Sequence, residues 1–216
     1  MGCLACQGRD TLHEDVEPLT QYASAELIEA IAYRGHDSGR DPRWASSGAA
    51  DRAEYGRWCG HACGTVCLRM VLIHRDGWAP PLMHLVRQVR AAGGYVERAD
   101  GSIHGLVYAP FVDHVRRTHG LEARVRTGMG VADVLDELDR GRMVIASVHK
   151  EIRRPRLAAP GRGGHLVLVV GHREGLVHLR NPSGHTPASR SAALAAKTFG
   201  EFFAGRGIVV DLSVHG

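Results

Sequence analysis

Cys63-Gly64-Thr65-Val66-Cys67-Leu68-Arg69-Met70-Val71-Leu72 opens on a thiol and runs on as a densely apolar segment, so a cysteine stands where a buried helix begins. The first backbone N–H groups of a helix have no partner inside it and carry a partial positive charge. They favour thiolate over thiol, which makes a cysteine at that point a primed nucleophile. A nucleophile of this kind needs a base and a third group that orients the base.

Farther along, Gly163-Gly164-His165-Leu166-Val167-Leu168-Val169-Val170-Gly171 sets a histidine at the head of a branched apolar run that reads as a buried strand. After the turn Arg173-Glu174-Gly175, a second short strand, Leu176-Val177-His178-Leu179-Arg180, delivers Asn181-Pro182-Ser183-Gly184 at its end. If the two strands pair, Asn181 bonds one imidazole nitrogen of His165 and leaves the other for Cys63. That is the nucleophile, base and orienter set of cysteine hydrolases. Asn-Pro before Ser-Gly is also an ordinary turn sequence, so the weight rests on the position of Asn181, one hairpin from His165.

With these stretches in this order, the chain resembles the papain-like cysteine peptidases of the bacteriocin-processing, double-glycine leader peptidase type. Their Cys-Gly-x-x-small-Leu-x-Met is answered by Cys63, Gly64, Cys67, Leu68 and Met70, their Gly-His by Gly164-His165, and their Asn-Pro by Asn181-Pro182. The segment from Val134 to Val148 is similar to the family's helix, Gly-Arg turn and central strand. The resemblance implies an α+β fold with the nucleophile helix packed against an antiparallel sheet. It further implies cleavage of a peptide or amide bond through a thioester acyl-enzyme, with no metal and no cofactor. Papain-like enzymes place an oxyanion-hole glutamine shortly before the cysteine, where Arg57 stands here. Gln21 is the substitute, because Val16-Glu17-Pro18-Leu19-Thr20-Gln21-Tyr22 resembles the short N-terminal strand that ends in this glutamine in some relatives; otherwise Gln21 is a solvated residue leading into a helix. Gly164, His61 and Arg57 are expected to border the substrate, and His104 is either a cleft residue or part of a surface loop.

The studied relatives are fused to transporter segments, and this sequence shows none. Maturation of a peptide or natural product, amide formation by acyl transfer from the same thioester, and a catalytically silent module that grips an extended peptide therefore all stay open.

Composition narrows the setting. Hydrophobic residues make up 44% and the net charge is +4, which suits one globular domain over residues 16–216 behind a flexible tail at 1–15. The apolar runs fall short of the roughly 18–20 residues that span a bilayer, and no export signal is visible, so a cytoplasmic protein is expected, away from membranes. Aromatics are only 6%, without the basic and aromatic interleaving of nucleic-acid platforms, so nucleic acid is not the expected substrate. The oligomeric state is not legible.

The pattern predicts helices near 25–33, 64–74, 81–92, 110–118 and 131–140, and strands near 122–126, 143–148, 165–170, 176–180 and 208–214. Phe199, Phe202 and Phe203 at helical spacing predict a packing helix before the last strand. Residues 34–56 read as an inserted loop held on by Trp44 and Tyr55. The basic stretch from Arg153 to Arg162 either borders the cleft, favouring an acidic peptide or carboxylate, or is a solvated loop.

Five cysteines without an export signal read as reduced thiols. Cys59, Cys63 and Cys67 would share one face of a continuous helix, but Gly60 and Gly64 argue for an interruption. Cys67 is then a core residue, and Cys59 is a loop thiol, either inert or a redox partner of Cys63. Cys3-Leu4-Ala5-Cys6 has the spacing of a metal or redox pair and reads by default as frayed tail.

Overall fold

The computed structural model describes residues 11–212. In its first half, strand β1 (Thr11–Leu12) is followed by helices α1 (Ile28–Tyr33), α2 (Arg52–Trp58), α3 (Cys63–Asp76) and α4 (Leu82–Ala91). A small ribbon of β2 (Val96–Glu97) and β3 (Ile103–His104) then leads to α5 (Tyr108–His119). The second half runs β4 (Glu122–Thr127), α6 (Val131–Asp139), β5 (Met143–His149), β6 (Gly164–Arg173), β7 (Leu176–Arg180), α7 (Pro187–Arg190), β8 (Ser191–Ala195), α8 (Ala196–Phe202) and β9 (Phe203–Asp211). Among the described residues, no helix is long and apolar enough to cross a membrane.

One antiparallel sheet in the order β4-β9-β5-β6-β7-β8 organises the second half, with β1 added beside β6. Strands β5 and β6 are apolar at nearly every position because both faces are covered. Met143, Ile145, Leu166, Leu168 and Val170 pack with α3, α4 and α5, whereas Val144, Ala146, Val148, Val167 and Val169 pack under α6 and α8. Period-two alternation thus feeds two cores rather than a core and a solvent face. Leu176 and Arg173 close the β6–β7 hairpin across Glu174-Gly175, both with positive φ (51° and 76°), the geometry a two-residue hairpin turn demands.

Helix α3 is buried around most of its circumference, including Val66, Cys67, Leu68, Met70, Val71 and Leu72. It stops at Gly77, whose left-handed φ of 73° lets the chain turn away. Its start lies hard against β6. A Cβ on Gly64 would sit 2.6 Å from Leu106 Cδ2 and 2.8 Å from Leu166 Cδ1, so glycine after the cysteine is what permits this approach.

Two expectations are corrected, and two elements had gone unpredicted. Thr11–Leu12, inside the stretch read as tail through Asp15, pairs with His172 and Gly171 of β6. The approach requires Gly171, where a Cβ would meet the Thr11 carbonyl at 2.2 Å. Residues 34–56 are not all loop, since α2 begins at Arg52, capped by the Asp51 side chain on the Glu54 N–H. Strand β8 and the short helix α7 had no periodic signal: Ser191-Ala192-Ala193-Leu194-Ala195 carries no β-branched residue. Tyr55 is fully buried and Trp44 packs partly buried against the same core, as anchors would. Cys3 and Cys6 lie outside the described residues.

Candidate active site

Cys63 is the first residue of α3, after a short 3-10 turn (Cys59–His61) that separates it from α2. The thiol face across Cys59, Cys63 and Cys67 is therefore broken, as the two glycines indicated. Cys67 is buried in the core and Cys59 is buried in the turn, and all three are free thiols. Cys63 lines a pocket of about 480 Å³ together with His61, Gly164, His165, His104 and Arg206. The sequence-derived nucleophile, base and two of the three bordering residues thus meet in one cavity.

Behind the pocket, His165 Nε2 lies 2.9 Å from Asn181 Oδ1. The orientation of the Asn181 amide is fixed independently, because the backbone N–H of Ser183 donates to the same Oδ1 at 3.0 Å. A donor there rejects the amide nitrogen, so the atom facing His165 is an acceptor and Nε2 must carry the proton. The neutral imidazole then has its lone pair on Nδ1, the nitrogen left for chemistry. Ser183 Oγ adds a contact at 3.1 Å to His165 Nε2. Asn181 is fully buried, its own N–H bonded to the Arg190 carbonyl at 2.8 Å, so water does not compete for the pair.

Burial works against the charged form of both His165 and Cys63. Burial, then the charges of Arg153 and His149, push the His165 imidazole down to about 4 against a smaller upward pull from Asn181. Burial also pushes the Cys63 thiol up, and the backbone N–H groups of Leu166, Gly64 and Cys63 only partly offset it. The helix start does act on the sulfur, but desolvation outweighs it, which reverses the lowered thiol pKa expected from the sequence.

Gln21 is not a solvated residue. It is buried, its backbone N–H donates to the Pro182 carbonyl at 2.9 Å, and its Nε2 donates to the Cys59 carbonyl at 3.0 Å. It therefore joins the turn carrying Asn181 to the turn leading into Cys63. A buried polar network holds the segment in place: Asp41, fully buried, accepts from the Ser24 N–H at 2.8 Å, Ser24 Oγ at 2.6 Å, Tyr55 Oη at 2.8 Å and the Arg43 N–H at 2.9 Å. Burial alone would raise the Asp41 carboxyl, but hydrogen bonds from Ser24, Arg43 and Tyr55 prevail and hold it below its usual value. Tyr55 Oη in turn accepts the Ala23 N–H at 2.8 Å.

Arg57 departs from its expected place. Its guanidinium pairs with Glu97 at 2.5 Å and donates to the Gly101 carbonyl at 3.1 Å, on the side of the β2–β3 ribbon rather than in the pocket. The Glu97 carboxylate, brought close from forty residues along the chain, is a stronger partner than a desolvated cleft. Sequence reasoning missed Ser183, Ser147, Tyr108 and Arg206. Ser183 was visible only as a turn residue, and the others reach the pocket from separate elements with no motif to announce them.

No family model matches the sequence, and no curated protein matches it. Among solved structures, a putative C39-like peptidase from Bacillus anthracis matches with a TM-score of 0.51 at 14% identity, over 70% of this chain and 88% of that one. The chain therefore has the α+β, papain-like fold of that structure. The peptidase domain of Streptococcus ComA, a bi-functional ABC transporter, matches at TM-score 0.48 and 16% identity over 70% of this chain and 91% of that one. A double glycine motif protease from an AMS/PCAT transporter, in complex with its leader peptide, matches at 0.44 and 16% over 68% and 82%.

Proposed function

We propose that the chain is a cysteine-dependent hydrolase that cleaves a peptide or other amide bond. Cys63 attacks the carbonyl, and His165 Nδ1 takes the thiol proton as the S–C bond forms. Asn181 holds the imidazole with Nε2 protonated, and the imidazolium returns the proton to the departing amine. Water then releases the acyl group from the thioester, with His165 again as base. The oxyanion is met by the Cys63 N–H and by the second hydrogen of the Gln21 amide, whose first is bound to Cys59. No step calls for a metal or cofactor.

The observation that carries this reading is the buried His165–Asn181 bond at 2.9 Å behind a pocket that His165 shares with Cys63. A pair of neutral groups suits it, because only an unprotonated imidazole can accept the proton. Alkylation with iodoacetamide, mapped by mass spectrometry, tests it. Cys63 is expected to label well ahead of Cys59 and Cys67, and His165→Ala to slow that labelling alone. Equal labelling of Cys63 in the parent and in His165→Ala would sink the pair.

A further inference from the structure

A second cleft, of about 700 Å³, lies apart from the cysteine pocket and shares none of its lining residues. One wall is formed by Ser191 to Leu194 of β8, four residues in succession. Successive strand residues point to opposite faces of a sheet, so a cleft touched by four in a row runs along the strand's edge and not over one face. Strand β8 is the last of the sheet: β7 pairs with one side of it, and among the described residues no strand pairs with the other. Its small side chains leave the backbone approachable, and Ser191, Ala193 and Ala195 are exposed.

The opposite wall is cationic. Arg153, Arg154, Arg156 and His185 line the cleft, and no carboxylate does. Glu151 lies behind, bonding Arg154 and, at 3.4 Å, Arg153, so it offsets one of three positive charges. The Tyr33 ring supports both guanidinium groups, 5.1 Å from Arg153 and 3.9 Å from Arg154. Arg153 is the unusual member: its side chain is only 7% exposed, yet its buried Nε has no hydrogen-bond partner among the described residues. Buried donors usually find an acceptor, so this guanidinium keeps donor capacity for a group that enters the cleft.

An open strand edge facing a row of arginines has one natural complement. We infer that this cleft binds an extended acidic peptide segment, which adds as a strand to the free edge of β8 and turns its carboxylates toward Arg153, Arg154 and Arg156. Main-chain hydrogen bonds supply affinity, and the arginines select acidic side chains at alternate positions. The stretch read from the sequence as either a border of the catalytic cleft or a solvated loop thus serves a separate site, and the inference does not depend on the thiol chemistry.

The test is fluorescence polarisation with a labelled peptide of alternating glutamate and threonine, on the full chain carrying Cys63→Ala so that nothing is cleaved. Saturable binding is expected, weakening with salt. The exposed Arg156→Glu exchange should weaken it by about tenfold, and N-methylation of alternate peptide nitrogens by at least as much. Circular dichroism would verify that the variant folds. Unchanged binding of the N-methylated peptide would show an anion patch without strand pairing and overturn the inference. So would unchanged binding to Arg156→Glu, equally tight binding of a lysine–threonine peptide, or equally effective displacement by a single-stranded oligonucleotide. None of these outcomes bears on the labelling of Cys63, so the two readings fall separately.

Discussion

The two supports that flank the segment leading into Cys63 are built by different physics. On the sheet side, His165 and Asn181 are set by the pairing of β6 with β7, and a two-residue turn fixes the register. On the N-terminal side, Gln21 is set by a polar network in which Asp41 gathers Ser24, Arg43 and Tyr55 across intervening loops. Strand register is a local, repetitive device that tolerates change in any one side chain. The Asp41 network is a single buried knot in which each donor has one acceptor, so it should fail all at once.

That difference can be broken at several points. The largest effect is expected on the sheet side: His165→Ala should lower turnover by about 10²–10⁴-fold, the usual worth of a positioned general base, well beyond what the loss of its buried side chain takes from stability. Gln21→Ala should follow at about 10²-fold or somewhat more, if its free amide hydrogen meets the oxyanion. A comparable rate in Gln21→Ala and parent would leave the Cys63 N–H as the sole donor on that side. Asp41→Ala should act first on stability, by about 3 kcal/mol, because it leaves several buried donors unpaired. Its residual activity should resemble that of Gln21→Ala. If Asp41→Ala unfolds less readily than expected yet keeps full turnover, the network is not what places Gln21.

The same contrast explains what the sequence revealed. The β6–β7 hairpin, α3 and the positions of Cys63, His165 and Asn181 were legible because each rests on short-range pattern: apolar periodicity, a Glu-Gly turn, a thiol before an apolar run. Strand β8 was not, since its Ala-rich stretch gains strand form only from pairing with β7. Arg57 was misplaced because a salt bridge to Glu97 joins residues far apart in the chain, which no local pattern encodes. The raised thiol of Cys63 was missed for a related reason. A helix start can be read from sequence, but the depth at which the fold buries it cannot.

A smaller steric effect probes the seam between the two sides. Gly64→Ala places a methyl where Leu106 and Leu166 side chains already stand, at 2.6 and 2.8 Å. Both obstacles are the ends of flexible side chains, so the protein should fold with a loss of about 1–2 kcal/mol in urea unfolding. Because Leu166 follows His165 directly, turnover should drop more than that stability loss alone would produce. Equal turnover would mean that the seam has slack the close contacts do not suggest.

The subtlest prediction concerns pH. With His165 held near 4, the acid limb of Cys63 labelling should fall near pH 4 and not near the ordinary histidine value of 6.5. Stability falls in the same direction but begins to do so at higher pH. Between 6.5 and about 4 the unfolded chain binds a proton at this histidine and the folded chain does not. The contribution of His165 is therefore complete above 6.5 and declines as pH falls toward 4. A protein that labels at pH 5 as readily as at pH 7, while melting at a lower temperature, would carry both signatures of a buried neutral base. Asn181→Ala should carry the limb lower still, because the Asn181 bond favours the imidazolium. A limb at 6.5 in the parent would instead mean that His165 is solvated in the free protein, and that the sheet side holds its base less tightly than the register implies.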